Sequence, residues 1–183
     1  MKRIAIAAIV GGLIVFVWSA ISHMLLPLGE MGISTLPNEA AVLETLKTSI
    51  PQSGLYFFPT PTDPSAANPA GPAGIMVFHP EGGMDMSPKR LGNELLSNVL
   101  AALVAAWIAS LLAAAYGRRV LAIALLGLFG WLSLIVSYWI WYGYPAAYIL
   151  GEGINEVVGW FLAGLAIAKI VPPAIIEHQD ANG

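Results

Sequence analysis

Four stretches of the sequence are apolar over about 20 residues each, and this feature constrains the fold more than any other. A helix needs about 20 apolar residues to cross the core of a bilayer. Single strands and loops cannot cross lipid, because their backbone groups would lack hydrogen-bond partners, so each stretch is predicted to be a helix. We therefore expect an all-α integral membrane protein with four transmembrane helices, at residues 4–26, 94–115, 120–141 and 146–171.

The composition excludes several classes of protein. Hydrophobic residues make up 57% of the chain and charged residues only 10%, whereas soluble domains are about 25% charged. Basic residues are few and the formal net charge is −3, so nucleic acid is not an expected partner. The chain has no cysteine, which excludes disulfides, thiolate metal ligands and cysteine nucleophiles.

The first apolar stretch has two interpretations. Lys2 and Arg3 precede it, as basic residues precede the core of a secretory signal peptide. The stretch is longer than a typical signal-peptide core, and its best cleavage sequence, Ala20-Ile21-Ser22, matches poorly. We therefore favour a retained signal anchor, which forms the first transmembrane helix.

The basic residues predict the orientation of the helices, because the cytoplasmic ends of transmembrane helices carry an excess of Lys and Arg. An alternating path across the membrane brings five of them to one side, which we assign to the cytoplasm: Lys2, Arg3, Arg118, Arg119 and Lys169. Both termini are therefore expected in the cytoplasm (N-in/C-in). Aromatic residues, which are typical of a membrane interface, crowd residues 138–148 on the opposite side.

This path divides the chain into membrane and non-membrane parts. We predict a first transmembrane helix (1–26), an extracytoplasmic loop (27–93), three more transmembrane helices (94–173) and a cytoplasmic tail (174–183).

The loop is predicted to be a small α+β module between helices 1 and 2. Residues 38–49 have the apolar spacing of a short amphipathic helix. Residues 54–59 and 74–79 have the composition of strands that can pair as a hairpin. A two-stranded hairpin is only marginally stable by itself in water, so we expect the module to lean on the membrane surface or on a partner protein.

Small residues recur at four-residue spacing on the second and fourth predicted helices. Such residues let helix backbones approach closely in lipid, which favours tight packing between these two helices or a seam between copies of the chain. The alternative is that Ala and Gly are simply common in membrane helices. The positions are Ala101, Ala105, Ala109 and Ala113 on the second helix and Gly151, Asn155, Gly159 and Ala163 on the fourth.

A set of polar residues, here called the polar cluster, is predicted to meet at the extracytoplasmic end of the helices. Counting about 1.5 Å per residue from the cytoplasmic basic residues places all of them in the outer leaflet. A carboxylate inside the bilayer core is costly and by default marks function, which singles out Glu156. The cluster comprises His23, Glu94, Glu152 and Glu156, with the polar neighbours Ser19, Asn98 and Asn155.

The polar cluster has three interpretations. Carboxylates and an imidazole can bind a divalent metal or carry out acid–base chemistry, and they can also relay protons. The spacing is not specific for metal, because the sequence contains no Glu-x-x-His or His-x-x-x-His pair. The third interpretation is structural: the residues hydrogen-bond one another and hold the helices in register, while Glu94 and Glu152 face head groups and water.

Several short sequence segments, here called phrases, in the first half of the chain resemble those of a group of known proteins. Together they resemble a group of small, uncharacterised four-helix proteins of the bacterial inner membrane. The resemblance implies a bacterial inner-membrane location and a shared surface at the outer face of helices 1 and 2 with the adjoining loop, but no activity and no catalytic residue. The phrases are Ser22-His23-Met24, Pro27-Leu28-Gly29-Glu30, Gly54-Leu55-Tyr56-Phe57-Phe58-Pro59, His79-Pro80-Glu81-Gly82-Gly83 and Glu94-Leu95-Leu96-Ser97-Asn98.

The function expected from the sequence is that of a non-enzymatic accessory or structural subunit of a larger membrane complex. Its partners would be the lipid bilayer and either another membrane protein or further copies of the chain. The alternative is an outer-leaflet enzyme or metal site built from His23, Glu94, Glu152 and Glu156; apart from that divalent metal, no cofactor is expected. A transporter or proton path ranks third, because no ionisable residue follows Glu156 before Lys169.

Overall fold

The computed structural model of the protein describes residues 1–59, 71–82 and 85–175. The predicted tail lies outside these residues from position 176 onward, and so do parts of the predicted loop, at 60–70 and 83–84. The regular elements in chain order are α1 (Lys2–Met24), α2 (Glu39–Ser49), β1 (Gly54–Phe58), β2 (Gly74–Phe78), α3 (Pro88–Leu111), α4 (Tyr116–Gly130), α5 (Val136–Tyr142) and α6 (Ala146–Ile170).

Four helices in the described part of the chain are long and apolar enough to cross a membrane, which confirms that number of candidate spans. They are α1, α3, the continuous helix from Tyr116 to Tyr142, and α6. The third of these joins α4 to α5 through a π-helical segment, Trp131–Ile135. A short 3₁₀ turn, Pro27–Glu30, follows α1.

The second span was predicted at the wrong bounds. It begins at Pro88, six residues before the expected start at 94, because proline is preorganised for the first turn of a helix and lies outside the apolar stretch. It ends at Leu111 rather than at 115, and the next residue has extended backbone angles. Hydropathy marks the apolar part of a helix and not its ends, so polar first turns are missed.

The module between α1 and α3 contains the predicted short helix and hairpin. β1 pairs with β2 in an antiparallel register that places Leu55 opposite Val77 and Phe57 opposite Ile75. None of the residues of α2, β1 and β2, all of which the structure describes, is buried. The module therefore has no core of its own.

The long helices pack in the order α3, α1, α6, α4, so that α1 and α6 each lie between two neighbours. Small residues allow the close approach: a Cβ added at Gly12 of α1 would lie 2.6 Å from Val99 Cα of α3. The core lies towards the end at which α1 and α4 begin, here called the basic end. It consists of Ala7, Ala102, Ala105, Ala106, Ala109, Ile123, Ala163, Ile167 and Val171.

Arg118 and Arg119 lie in the first turn of α4, not in a connecting turn as the sequence suggested. Arg119 is 4% exposed. Its Nη1 donates to the carbonyl oxygen of Val171 at 2.6 Å and its Nη2 to that of Ala168 at 2.5 Å. Because the last carbonyls of a helix have no partner within the helix, Arg119 caps the end of α6.

Candidate functional site

A buried hydrogen bond joins α1 to α6 at the end opposite the basic end. Ser22 Oγ donates to Asn155 Oδ1 at 2.6 Å, and the two residues are 0% and 9% exposed. The indole Nε1 of Trp18 donates to the backbone oxygen of Asn155 at 2.9 Å. A polar side chain in an apolar helix interface needs such partners, so these contacts favour one rotation of α1 against α6.

His23 extends this contact towards the helix end. Its Nδ1 lies 3.0 Å from the backbone oxygen of Ser19 and 2.9 Å from Ser22 Oγ. Its Nε2 lies 3.6 Å from Glu152 Oε1, and this contact becomes an ion pair when the ring is protonated. The ring packs near Gly29 of the 3₁₀ turn, where an added Cβ would lie 2.9 Å from His23 Cδ2.

A carboxylate, an imidazole and a hydroxyl lie in succession at Glu152, His23 and Ser22, as in an acid–base–nucleophile relay. The hydroxyl, however, is not accessible to a substrate. Ser22 is 0% exposed, whereas a nucleophile must reach its substrate. Ser22 is also engaged by Asn155 from the neighbouring helix. The arrangement is therefore better suited to joining two helices than to attacking a substrate.

The two carboxylates of α6 have different neighbours although they are four residues apart. Glu152 faces His23 of α1. Glu156 accepts a hydrogen bond from Trp160 Nε1 at 3.1 Å, within its own helix. The backbone oxygen of Glu156 lies close to α4, since a Cβ added at Gly127 would be 2.7 Å from it. The polar cluster is thus divided between two helix interfaces.

Glu94 and Asn98 form a separate pair on α3. Asn98 Nδ2 donates to Glu94 Oε1 at 3.2 Å, and Glu94 is exposed. Glu94 shares with His23 a cleft of about 180 Å³ between α1 and α3, whose other walls include Phe16 and Leu91. This cleft brings two of the four ionisable residues to one space.

In the described part of the chain, no group of three or more His, Cys, Asp or Glu side chains is placed so that it could hold a metal ion. The divalent-metal interpretation of His23, Glu94, Glu152 and Glu156 therefore stays a prediction.

The predicted packing residues are distributed unevenly. On α6, Gly151, Gly159 and Ala163 are all buried. Gly159 faces Trp18, whose Cδ1 would be 3.0 Å from an added Cβ. On the other helix, Ala105 and Ala109 are buried, whereas Ala101 and Ala113 are exposed and Ala113 lies beyond the end of α3.

The main neighbour of α3 is α1 and not α6, in contrast to the packing expected from the small residues. The buried face of α3 consists of Ala102, Ala105, Ala106 and Ala109. A four-residue spacing advances 40° per step on an ideal helix of about 3.6 residues per turn, so such a row drifts off the contact. The buried positions of α3 are separated by both three- and four-residue steps, so they stay on the side of the helix that contacts α1.

Sequence reasoning missed three side chains that hold the helices together: Trp18, Ser22 and Arg119. An indole N–H in lipid must find an acceptor, so Trp18 within an apolar stretch was a usable signal. Ser22 occurs in the cleavage sequence and in one of the segments that carry the resemblance, and neither indicates a contact between helices. Nothing in the sequence indicates that Arg119 rather than Arg118 caps a helix, because the two differ only in their packing against α6.

Aromatic rings line the chain where α5 turns into α6. The ring centroids of Tyr138 and Tyr142 are 5.8 Å apart, those of Tyr138 and Tyr144 5.4 Å, and those of Tyr144 and Tyr148 5.3 Å. Phe57 of β1 packs edge-on against Tyr142 at 5.7 Å. Phe57 therefore joins the hairpin to this aromatic row at Tyr142.

The class of protein follows from the helices rather than from a catalytic site. Four helices of sufficient length and hydropathy are consistent with a multi-pass membrane protein. Comparison with family models, with curated proteins and with solved structures gave no match to this chain.

The α1–α6 contact leads to a testable expectation for stability. In a double-mutant cycle, Ser22→Ala and Asn155→Leu are expected to couple by about 1 kcal/mol, because hydrogen bonds between membrane helices are worth about 0.6–1.7 kcal/mol. The free energy of unfolding would be measured for the full chain in mixed micelles. Ser22→Ala with Asn98→Leu is the control and should show no coupling. Additive effects for Ser22 and Asn155 would mean that their hydrogen bond does not stabilise the fold.

Proposed function

We propose that this chain is a non-enzymatic accessory or structural subunit of a larger complex in the bacterial inner membrane. In this proposal both termini are cytoplasmic and residues 27–93 lie on the extracytoplasmic side, where the hairpin binds another membrane protein. The orientation rests on the five basic residues at the basic end, since positive charge favours the cytoplasmic side.

The observation that carries the proposal is the surface of the hairpin. Leu55, Phe57, Ile75 and Val77 lie on one face, and Tyr56, Phe58, Met76 and Phe78 lie on the other, so both faces are apolar. A sheet that faces a core on one side and water on the other alternates apolar and polar residues instead. A hairpin that is apolar on both faces is suited to being enclosed.

The contacts within the chain cover only part of this surface. Phe57 packs on Tyr142, while its facing neighbours Leu55 and Val77 remain exposed. In the described residues no third strand pairs with β1 or β2, so both outer edges of the sheet offer free backbone groups. Unpaired strand edges readily accept another chain. A protein surface supplies both the apolar contact and the edge hydrogen bonds, whereas lipid tails supply only the first.

The state of the polar cluster also supports a structural role. Ser22, Asn155 and Glu156 each have a partner within the helices. A catalytic site would be expected to offer accessible groups that converge on a space for substrate. Here the buried pair Ser22–Asn155 joins α1 to α6, and Glu156 is held by Trp160 of its own helix.

The proposal predicts a specific contact at the hairpin. A photo-crosslinking amino acid at Val77, which is 63% exposed, is expected to give one discrete adduct with another membrane protein in intact cells. The same residue at Phe129, which is 69% exposed on α4 in a membrane-spanning helix, is the control and should not give that adduct. The adduct would be sized and identified by mass spectrometry.

A second variant separates recognition from chance proximity. Leu55→Asp with Val77→Asp places two like charges opposite each other on the hairpin and is expected to abolish stoichiometric recovery of the partner from mildly solubilised membranes. Leu36→Asp with Leu43→Asp, at two exposed residues of the same loop outside the hairpin, is the matched charge change and should leave recovery intact. Adducts with further copies of the chain only, or equal recovery from all variants, would contradict the proposal.

The alternative is an outer-leaflet enzyme or metal site. The observation that favours it is the cleft shared by His23 and Glu94 between α1 and α3, together with the proximity of Glu152 to His23. Divalent metal that copurifies stoichiometrically with the full chain and is lost in Glu94→Gln would favour this alternative over the accessory role.

A further inference from the structure

Several basic side chains gather at the basic end, and no ion pair there joins them to an acidic side chain among residues 1–59, 71–82 and 85–175. Lys2 and Arg3 begin α1, Arg118 lies at the start of α4, and Lys169 lies at the end of α6. Among the described residues, the salt bridges are His23–Glu152 and Arg90–Asp85, and neither involves these four side chains. The described residues at this end therefore carry a net positive charge that can attract an anion.

Two of these side chains border a cleft. The cleft has a volume of about 350 Å³ and lies between the beginning of α1, the end of α3 and the residues that follow α6. Lys2 and Arg3 form its charged wall, and Ile4 and Val171 are among its apolar residues. Arg118 and Lys169 are not part of its lining.

The start of α1 adds to the positive potential of the cleft. The first backbone N–H groups of a helix have no acceptor within the helix, and the helix dipole places partial positive charge there. α1 is 23 residues long, and its first turn, Lys2 to Ile4, borders the cleft. Free N–H groups beside two cationic side chains form a suitable environment for a phosphate group.

The end of α6 would by itself oppose an anion, because the last carbonyls of a helix carry partial negative charge. Arg119 removes this obstacle. Its guanidinium donates to the carbonyl oxygens of Ala168 and Val171, and Val171 is also part of the cleft. The buried guanidinium of Arg119 therefore compensates the partial negative charge at the end of α6, where α6 borders the cleft.

From these features we infer that the cleft binds the phosphate of an anionic phospholipid head group. A lipid fits better than free phosphate because apolar surface adjoins the charged wall. Ile6, one turn after Lys2, and Leu111, next to the cleft residue Ser110, are both exposed and can contact acyl chains. Basic pockets between membrane helices are known to suit such head groups. The inference depends on the four helices crossing a membrane and not on the accessory role.

The test compares lipid retention by the purified full chain in nanodiscs of phosphatidylcholine and phosphatidylglycerol. Retained lipid would be counted by native mass spectrometry. Lys2→Gln with Arg3→Gln is expected to lower the preference for phosphatidylglycerol about thirtyfold, which corresponds to about 1 kcal/mol for each basic side chain near a membrane surface. Arg118→Gln with Lys169→Gln removes the same charge at the same end but outside the cleft, so it loses only the general attraction to an anionic surface and should lower the preference clearly less.

Two further arms make each outcome decisive. Ser110→Phe is expected to fill the cleft and lower retention without changing charge. Inorganic phosphate, added to nanodiscs of phosphatidylcholine alone, is expected to show no saturable binding in the millimolar range by phosphorus NMR. Equal losses in the two double variants, or no loss in Lys2→Gln with Arg3→Gln, would overturn the inference. Saturable binding of inorganic phosphate would overturn the assignment to lipid. Circular dichroism would verify that each variant keeps its helices.

Discussion

Replacing Arg119 with methionine is expected to destabilise the protein by about 3 kcal/mol, the largest effect of any single substitution considered. The guanidinium donates two hydrogen bonds at the end of α6, and hydrogen bonds that involve a charged group are worth about 1.5–3 kcal/mol each. Its loss also leaves the carbonyl oxygens of Ala168 and Val171 without these donors where Val171 is buried. Unfolding of the full chain in mixed micelles, followed by circular dichroism, measures the change.

Arg118→Met is the matched control for this prediction. It removes the same charge from the adjacent position, but Arg118 is exposed, so a change within about 0.5 kcal/mol is expected. Arg119→Lys should recover only part of the loss, because an ammonium lacks the fixed fork of donors that spans two carbonyls. If Arg118→Met and Arg119→Met destabilise the protein equally, the cap on α6 is not the source of stability.

Replacing Gly12 with alanine is expected to destabilise the contact between α1 and α3. The added Cβ would lie 2.6 Å from Val99 Cα and 2.7 Å from Val99 N. These are backbone atoms, so the helices themselves must separate. Overpacking of this kind costs about 1–3 kcal/mol, and we expect that loss in the free energy of unfolding.

Gly117→Ala is the control, and its expected effect has the opposite sign. An added Cβ at Gly117, in the first turn of α4, meets nothing within 4 Å. Alanine stabilises a helix relative to glycine by about 0.5–1 kcal/mol. A stabilising or neutral effect of Gly12→Ala would mean that α1 and α3 are not in close contact at this position.

The two glycines show why hydropathy predicted the spans but not their packing. Both occur in helices that are candidate membrane spans, and glycine itself has the same hydropathy value at either position. Gly12 is needed because Val99 lies against it, and that neighbour is more than 80 positions away in the chain. Long-range packing in lipid depends on shape more than on hydrophobicity, since lipid tails are as apolar as the side chains.

The sequence predicted at which end of the helices the polar cluster lies, but not which of its residues contact each other. Depth along each helix could be counted from basic residues at a fixed rise, so His23 and Glu152 were expected near the same level. They lie 3.6 Å apart at the nearest atoms. Glu156 was expected to meet the same cluster, but it bonds Trp160 on the side of α6 that faces α4. The neighbouring helix that a given side chain contacts depends on how its own helix is rotated about the helix axis. A single sequence does not define that rotation.

The length of the apolar stretches and the composition of the strands determined by themselves that the described part of the chain has four helices able to cross a membrane and a hairpin between the first two, because helix length and strand propensity are local properties. Tertiary structure alone decided that α1 and α6 are the inner pair, that Arg119 rather than Arg118 caps α6, and that Ser22 binds Asn155. These choices depend on how closely small residues such as Gly159 let neighbouring helices approach. How closely two helices approach depends on the side chains of both, so it is determined only in the tertiary structure.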